Sequence, residues 1–404
     1  MNPDPKESLP REILEELVEE GAEAFRSVLE KLFNLAMEME RSEFLGAEPY
    51  QRTSERRDHA NGFKDKTVAT RVGRLKLKIP QVRNLSFYPK SLERGCRSEK
   101  ALKLAIAEMY VKGVSTRKVS RITEQLCGTE ISATQVSRIA KMLDEELEQF
   151  RERELQEYRV VYLDAHYEKV RVNGTIQDLA ILKALGVNRW GKREVLGVSA
   201  TLSEAEVHWR EFLQALQRRG LRGVELVVSD DHVGLRAARR AVFPSVPWQR
   251  CQFHLAQNAQ AHAHNRAQGR EMGQAIRDIF NSPSLADAEA MVTRVAQRFE
   301  KENPKWVKWL EENIAEGFTV YRFARSTHRK IRTINVLERV NKEIRRRTRV
   351  VGIFPNEDSV LRLTSAVLAE IHEEWLTGRQ YLNLADWSTT EKPASQANYR
   401  KLVA

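Results

Sequence analysis

Three acidic residues stand where their side chains could do chemistry together. Asp164 follows the apolar run 160–163, Asp230 follows the mainly apolar run 224–229, and Glu338 lies in a strongly amphipathic segment. A carboxylate at the end of a buried strand lies where an α/β sheet presents reactive groups to solvent. Two such carboxylates and a third from a helix could bind two divalent metal ions about 4 Å apart, which supports in-line attack at a phosphodiester. The pattern therefore predicts a metal-dependent site for phosphodiester chemistry.

The charge balance agrees with a polyanionic partner. The 404-residue chain carries a formal net charge of +11, which favours nucleic acid or an anionic surface over acidic partners. By itself this charge is equally compatible with a soluble basic protein that binds neither. The length allows two or three domains.

The cysteines and the hydropathy exclude two classes of protein. Cys96, Cys127 and Cys251 are odd in number and include no Cys-x-x-Cys pair, so we expect no disulfide framework. No apolar stretch approaches the roughly 20 residues that span a bilayer. The first residues lack the pattern of a signal peptide. We therefore expect a cytoplasmic, nucleoid-associated protein without a membrane partner.

The N-terminal third predicts helices around a small basic hairpin. We assign residues 1–50 to an amphipathic helical region, with a helix over 10–44 whose apolar stripe packs in its own core or forms a dimer contact. We assign residues 51–95 to a basic β-hairpin segment, with a turn signal at Asn61-Gly62 and short strands over 66–71 and 74–80 on either side of Gly73. In its second strand, apolar side chains alternate with Lys76 and Lys78. These two lysines either solvate an edge strand or contact phosphates.

Residues 96–155 predict a helix-turn-helix DNA-binding domain. Short helical segments are joined by turns that contain glycine, and Ser132 with Gln135 three residues later forms a capping box. In a helix-turn-helix the last helix enters the major groove. Thr134, Gln135 and Arg138 lie on its first turns, off the apolar stripe, and are the candidate groove contacts. A helical bundle without a DNA-binding role is the alternative.

Residues 156–354 predict an α/β catalytic domain. Strands at 159–172, 176–187 and 194–201 are separated by short turns and predict an antiparallel meander. A strand at 224–230 follows a helix, which implies a parallel neighbour, and a further strand is predicted at 247–253. This order is that of the ribonuclease H-like fold. We interpret residues 255–320 as a helical insertion and residues 355–404 as a C-terminal helical tail.

The segment around Glu338 adds cations to the carboxylates. Leu337, Val340 and Ile344 form one apolar face, while Glu338 and Arg345 project from the opposing arc. A lone glutamate on such a helix is usually only solvated. Here Arg345 lies two turns beyond it on the same side, so a metal-binding carboxylate would stand beside a guanidinium that binds phosphate.

In its motifs and their spacing, the chain resembles the Mutator-type transposases of bacterial insertion sequences. The motifs that carry the resemblance span nearly the whole sequence. They include Tyr162-Leu163-Asp164-Ala165, Val228-Ser229-Asp230, Trp248-Gln249-Arg250-Cys251 with His254, Asn335-Val336-Leu337-Glu338-Arg339-Val340-Asn341, and Gly113-Val114-Ser115-Thr116-Arg117-Lys118-Val119.

The resemblance implies an Asp-Asp-Glu transposase that uses two Mg²⁺ or Mn²⁺ ions. It places the metal-binding acids at Asp164, Asp230 and Glu338, and a basic active-site residue at Arg345. The family's cysteine and histidine fall on Cys251 and His254. They could begin a zinc site, orient a catalytic group or substrate, or pack. Candidate DNA contacts are Lys76, Lys78, Arg117, Lys118, Thr134, Gln135, Arg138, Arg346 and Arg347.

The resemblance also implies the partners and the reaction. Double-stranded DNA, as terminal inverted repeats and as target, would be bound by a homodimer or a higher assembly. Cleavage would release a 3′-hydroxyl that attacks another strand, through a circular intermediate. A metal-dependent nuclease or junction resolvase on the same fold is one alternative. A repeat-binding regulator without catalysis is another.

Two positions depart from the family's pattern. Asp231 stands where a small residue is more usual, so it competes with Asp230 for the second acid position. Asp230 shares strand parity with Leu226 and Val228, which favours Asp230. Gln257-Asn258 replaces the more common Arg-Asn, which removes one possible phosphate contact.

Overall fold

The computed structural model describes residues 15–387, except residues 17, 93–98, 129 and 386. The chain divides into two compact units, Met1–Leu143 and Asp144–Ala404. The domain boundaries expected from the sequence within these units stay predictions. Cys96 and residues 388–404 of the expected C-terminal tail lie outside the described residues, as do residues 10–14 of the first predicted helix. In the described part of the chain, no helix is long and apolar enough to cross a membrane.

A long helix and a β-hairpin form the first part of unit one. Helix α1 (Phe25–Leu45) ends at Gly46, whose positive φ of 66° provides the left-handed cap. Strands β1 (Ala60–Thr70) and β2 (Gly73–Val82) pair antiparallel. The predicted alternation is confirmed: Leu75, Leu77 and Ile79 are buried against α1, and the lysines between them are exposed. The predicted turn at Asn61-Gly62 is wrong, because Gly62 uses its positive φ at an irregularity within β1.

Three short helices complete unit one. They are α2 (Lys100–Val111), α3 (Thr116–Cys127) and α4 (Ala133–Ala140). The predicted capping box is confirmed: Gln135 N donates to Ser132 Oγ, and Ser132 N donates to Gln135 Oε1. Helix α4 packs against both α2 and α3. Buried Ile106, Val119 and Val136 lie on the inner faces of the three helices.

Unit two begins with helix α5 (Asp144–Glu152) and is built on a mixed five-stranded sheet of order β5-β4-β3-β6-β7. The strands are β3 (Tyr158–Val172), β4 (Thr175–Asn188), β5 (Arg193–Thr201), β6 (Leu226–Ser229) and β7 (Trp248–Arg250). The predicted meander is confirmed, because β3, β4 and β5 pair antiparallel. The predicted parallel neighbour is confirmed too, since β6 pairs parallel to β3.

The two faces of the sheet are covered differently. Helices α6 (Glu206–Arg218) and α7 (Val233–Val242) cover one face, where Val161 and Leu163 pack with Trp209 and Phe212. Successive strand residues point to opposite faces. Tyr162, Asp164, His166 and Glu168 therefore point to the other face, where the candidate site lies.

Helices follow the short strand β7. The prediction of a strand to residue 253 is wrong, because α8 already begins at Gln252. Helices α8 (Gln252–Gln260), α9 (Arg266–Phe280), α10 (Leu285–Phe299) and α11 (Pro304–Asn313) enclose their own apolar core. The chain then returns to the sheet through α12 (Arg325–Ile331), α13 (Asn335–Val351) and α14 (Glu357–Thr377).

Candidate active site

The three predicted acids line one cavity. It has a volume of about 700 Å³ and opens to solvent at the end of β6. Asp164 comes from β3, Asp230 directly follows β6, and Glu338 lies in the first turn of α13. The remaining lining residues are Ala165, Phe253, His254, Asn341, Lys342, Glu343, Arg345, Arg346 and Arg349. The tertiary fold thus brings together three carboxylates from three separate elements.

Strand length explains how Asp164 reaches the cavity. The strand predicted at 159–172 is confirmed, so Asp164 ends the apolar run 160–163 but lies within β3, which continues to Val172 in pairing with β4. On the other side of β3, however, β6 stops at Ser229. The last β3–β6 pair joins Tyr162 to Val228, so Asp164 lies beyond the end of its parallel neighbour. The gap left by the short strand is what exposes one edge of Asp164 to the cavity.

Asp164 is held by two polar side chains. Asn341 of α13 donates from Nδ2 to Asp164 Oδ2 over 2.6 Å. Lys183 Nζ of β4 lies 3.6 Å from the same oxygen, and the Lys183 side chain is 0% exposed. Burial lowers the pKa of Lys183 to about 8, although the Asp164 carboxylate acts in the opposite direction. The sequence analysis missed Lys183, whose signal was a single lysine within the apolar run 179–187 of β4.

A buried polar chain leads from Lys183 back to α13. Lys183 Nζ contacts His166 Nδ1 at 2.5 Å. His166 Nε2 lies 3.2 Å from Glu168 Oε1, without the geometry of a hydrogen bond. Thr348 of α13 donates from Oγ1 to that same Glu168 oxygen over 2.8 Å. Burial and the neighbouring Lys183 lower the pKa of His166, which favours the neutral ring. The helix of Glu338 is therefore tied to the strand of Asp164 at two points, Asn341 and Thr348.

The negative charge of Asp164 affects the protonation of Asp230. Burial, and then the negative charge of Asp164, raise the pKa of Asp230 above that of an ordinary aspartate. The charges of His254 and His232 lower that pKa. Two partly buried acids that repel each other form a site that a cation would stabilise.

Asp231 is bound to arginine side chains outside the cavity. It forms ion pairs with Arg236 and with Arg250, the latter at 3.0 Å. Arg250 is buried and also contacts Glu316 at 2.8 Å, and Arg236 contacts Glu316 at 3.0 Å. This four-residue network joins the end of β6 to the segment after α11. Asp231 does not line the cavity, and its placement favours Asp230 as the second acid.

His254 and Cys251 have different surroundings. His254 lines the cavity, and its Nε2 lies 3.8 Å from Glu338 Oε1. Cys251 precedes α8 and is fully buried, and burial raises the pKa of its thiol. These placements favour His254 as a partner of Glu338 and Cys251 as a packing residue. A catalytic role for either one stays a prediction.

The arginines of α13 differ in whether they line the cavity. Arg345, Arg346 and Arg349 line the cavity. Arg347 is only 7% exposed and donates to Glu343 and to Glu370 of α14. Its guanidinium is used to join α13 to α14. This placement does not favour Arg347 as a DNA contact.

The candidate DNA contacts of unit one are exposed. Arg117 and Lys118 lie in the first turn of α3, and Thr134 and Arg138 lie on the outer side of α4. Gln135 is also exposed, but its Oε1 serves the capping box. Lys76 and Lys78 are exposed on β2, where their backbone N–H groups donate to Glu30 and Asn34 of α1. Whether any of these side chains binds DNA stays a prediction.

The donor set of the cavity fits a hard divalent cation. Asp164, Asp230 and Glu338 supply carboxylate oxygens, the ligands that Mg²⁺ and Mn²⁺ prefer. The repulsion that raises the pKa of Asp230 is one that such a cation would relieve. Among the described residues, no three His, Cys, Asp or Glu side chains are already drawn together into a closed metal site. The fit therefore rests on donor chemistry and the shared cavity.

Comparison with known proteins places the chain in a family. The model of the family described as "Transposase, Mutator family" matches residues 7–378. A transposase for insertion sequence element IS406 from Burkholderia multivorans is 52% identical, over 91% of this chain and 95% of the relative. A transposase for element ISRM5 from Rhizobium meliloti is 43% identical, over 92% and 94% of the two chains. A transposase for element IS256 in transposon Tn4001 from Staphylococcus aureus is 36% identical, over 89% and 93%.

Proposed function

Because the chain belongs to the Mutator family of transposases, we propose that it cleaves DNA at the ends of an insertion sequence and transfers the strands it releases. The observation that carries the proposal is the convergence of Asp164, Asp230 and Glu338 on one cavity, beside the cations of α13. Carboxylates that bind metal next to guanidinium groups that bind phosphate match the needs of phosphodiester chemistry. The net charge of +11 suits a DNA substrate.

We further propose that unit two has a ribonuclease H-like core with a helical insertion. Three antiparallel strands followed by two parallel strands, in the order β5-β4-β3-β6-β7, support this assignment. Helices α8 to α11, which enclose their own core between the second and third acids, support the insertion. In unit one, we propose that α3 and α4 form a helix-turn-helix in which Thr134 and Arg138 face DNA bases.

The reaction would proceed in two steps of the same kind. In the first, water adds its oxygen to the phosphorus, and the DNA 3′-oxygen leaves and takes up a proton. In the second, that 3′-hydroxyl attacks another strand and a second 3′-oxygen leaves. Two Mg²⁺ or Mn²⁺ ions held by Asp164, Asp230 and Glu338 would lower the pKa of the attacking hydroxyl and stabilise the leaving oxygen.

The other residues of the cavity would position these groups. Asn341 and Lys183 restrict Asp164, so its free edge faces the cavity. His254, 3.8 Å from Glu338, would orient that carboxylate when the ring is protonated. Arg345 is exposed on the cavity wall and would bind a phosphate beside the scissile bond. An oriented substrate reacts faster because less freedom is lost on the way to the transition state.

The test is metal-dependent cleavage of a labelled duplex that carries the element's terminal repeat. We expect Asp164→Asn, Asp230→Asn and Glu338→Gln each to abolish cleavage and strand transfer, while binding of the same duplex in a gel-shift assay persists. Glu343→Gln is the matched control. Glu343 also lies at the cavity on α13, but it pairs with Arg346 and Arg347, so its variant should still cleave. Cleavage that survives in the three acid variants would reject the proposal.

A further inference from the structure

A second group of cations lies outside the cavity, around the ring of Tyr381. The Arg193 guanidinium lies 4.6 Å from the centre of that ring, and Lys330 Nζ also lies 4.6 Å from it. The same guanidinium lies 4.3 Å from the ring centre of Trp375 of α14. Two cations from β5 and α12 therefore share one aromatic ring.

Two further arginines add positive charge to this group. After burial, the charges that lower the pKa of Lys330 are those of Arg193, Arg329 and Arg339, all of them cations. Burial and the charge of Arg339 lower the pKa of Arg193, whereas the charge of Glu374 raises it. We call the set Arg193, Arg329, Lys330 and Arg339 the Tyr381 patch.

Some exposed cations of unit two are neutralised by a carboxylate: Arg210 pairs with Glu206, Arg298 with Glu271, and Lys169 with Asp178. The patch cations differ from these. In the part of the chain that the structure describes, no carboxylate lies within ion-pair distance of any of the four patch cations. Like charges held together without a counterion destabilise the fold modestly, and a bound polyanion would offset that cost.

The patch adjoins the cavity. Arg339 directly follows Glu338 on α13 and points about 100° around the helix from it. Tyr162 donates from its hydroxyl to the backbone oxygen of Lys330 and lies two residues before Asp164 on the same face of β3. A phosphate backbone that leaves the cavity on this flank would meet Arg339 first and the α12 cations next.

We propose that the Tyr381 patch binds the backbone of duplex DNA, and that this duplex is the one that receives the transferred strand. The inference rests on the proposed function and names a binding site for its second substrate. Arg and Lys side chains contact phosphates without reading bases, so binding at the patch is independent of sequence. Independence of sequence suits a receiving duplex, whereas an element end has a defined sequence.

The variant that tests the patch is Arg329→Gln/Lys330→Gln/Arg339→Gln. These three side chains are exposed and form no ion pair within the described residues, so the fold should persist. Arg193 is retained because its packing between Trp375 and Tyr381 is structural. The matched control is Arg294→Gln/Lys305→Gln/Lys308→Gln, which removes the same charge from exposed positions on α10 and α11.

The first measurement is the affinity for a 20-base-pair duplex of arbitrary sequence, in EDTA, as a function of salt. Removal of three phosphate contacts should reduce the slope of log K against log salt by about 2.7. The control should keep the wild-type slope, and a patch variant that also keeps it would overturn the proposal. Because no cleavage is needed, this measurement reports on the patch even if the proposed catalytic function fails.

The second measurement compares two reactions of the same pre-bound complex. The ratio of strand transfer to end cleavage should fall about tenfold in the patch variant at limiting receiving DNA. A higher concentration of receiving DNA should restore it, because the defect is one of binding. If cleavage and transfer fall by the same factor, the patch contacts the element end, and the assignment to the receiving duplex is wrong.

Discussion

Lys183 Nζ lies 3.6 Å from Asp164 Oδ2, with the lysine side chain wholly buried beneath the cavity. A buried ammonium group is costly unless a charged partner offsets its desolvation. Asp164 is that partner, and His166 and Ile181 O provide the further polar contacts. The pair therefore stabilises the fold and also fixes the first acid of the site.

We expect Lys183→Met to destabilise the protein mainly when Asp164 is charged. In EDTA the substitution should lower the melting temperature by about 10 °C, because it leaves a carboxylate without its cation. In an Asp164→Asn background the loss should be less than half as large. Thermal unfolding of the four proteins of this double-mutant cycle measures the coupling.

Lys169→Met is the matched control for that cycle. Lys169 is exposed and pairs with Asp178 at 3.3 Å on the same strand pair, so its loss should shift the melting temperature by only about 1–2 °C. Equal losses from Lys183→Met in both backgrounds would show that the lysine acts through packing alone.

Neighbouring aspartates should respond in opposite ways to neutralisation. In EDTA at pH 7, Asp230→Asn should raise the melting temperature by a few degrees, because the raised pKa of Asp230 shows that its charge is unfavourable in the folded state. This gain should disappear as the pH falls through that raised pKa to below about 4, where Asp230 is protonated in both states. Unfolding curves across this pH range check the sign.

Asp231→Asn should instead destabilise at pH 7, since it removes a partner from the buried Arg250. The expected loss is about 2–6 °C. A stabilising Asp231→Asn beside a destabilising Asp230→Asn would show that the repelled carboxylate is Asp231 and would reverse the assignment of the second acid.

Arg345→Ala should slow the chemical step more than it weakens binding. A guanidinium beside the scissile phosphate stabilises charge that develops in the transition state, so we expect a decrease in rate on the order of a hundredfold. The affinity in a gel shift should fall only a few fold. Single-turnover cleavage of pre-bound repeat DNA separates the two effects, and a normal rate for the bound variant would make Arg345 a docking residue.

Arg346 and Arg347 should differ although they are adjacent. Arg347→Met removes the contacts with Glu343 and Glu370, so it should lower the melting temperature and leave DNA affinity nearly unchanged. Arg346→Gln removes an exposed cation at the cavity, so it should lower affinity and its salt dependence with little loss of stability. Melting curves and salt titrations of both variants test this contrast. A stable Arg347→Met with weakened DNA binding would restore Arg347 as a DNA contact.

Features that depend on a few neighbouring residues were predictable. The capping box at Ser132 and Gln135 joins residues three positions apart. The alternation of Leu75, Leu77 and Ile79 with lysines follows from the period of a strand. The meander of β3 to β5 follows from short turns between apolar runs. The resemblance to the family further indicated Asp164, Asp230 and Glu338 as the metal-binding acids, and the fold places those three at one cavity.

Relationships between distant residues were decided only by the tertiary structure. Asn341 and Asp164 are 177 positions apart, and Arg250 and Glu316 are 66 apart. No local pattern shows that Lys183 lies under Asp164, that Asp231 is used in an ion pair, or that Arg347 is buried while Arg346 is exposed. By itself, the sequence determined which segments form helices and strands and which residue types are available, because turns, caps and side-chain periodicity act over a few residues. Which charges meet, and which remain open to a substrate, depended on how those segments pack, because burial and ion pairing act between surfaces that only the folded chain brings together.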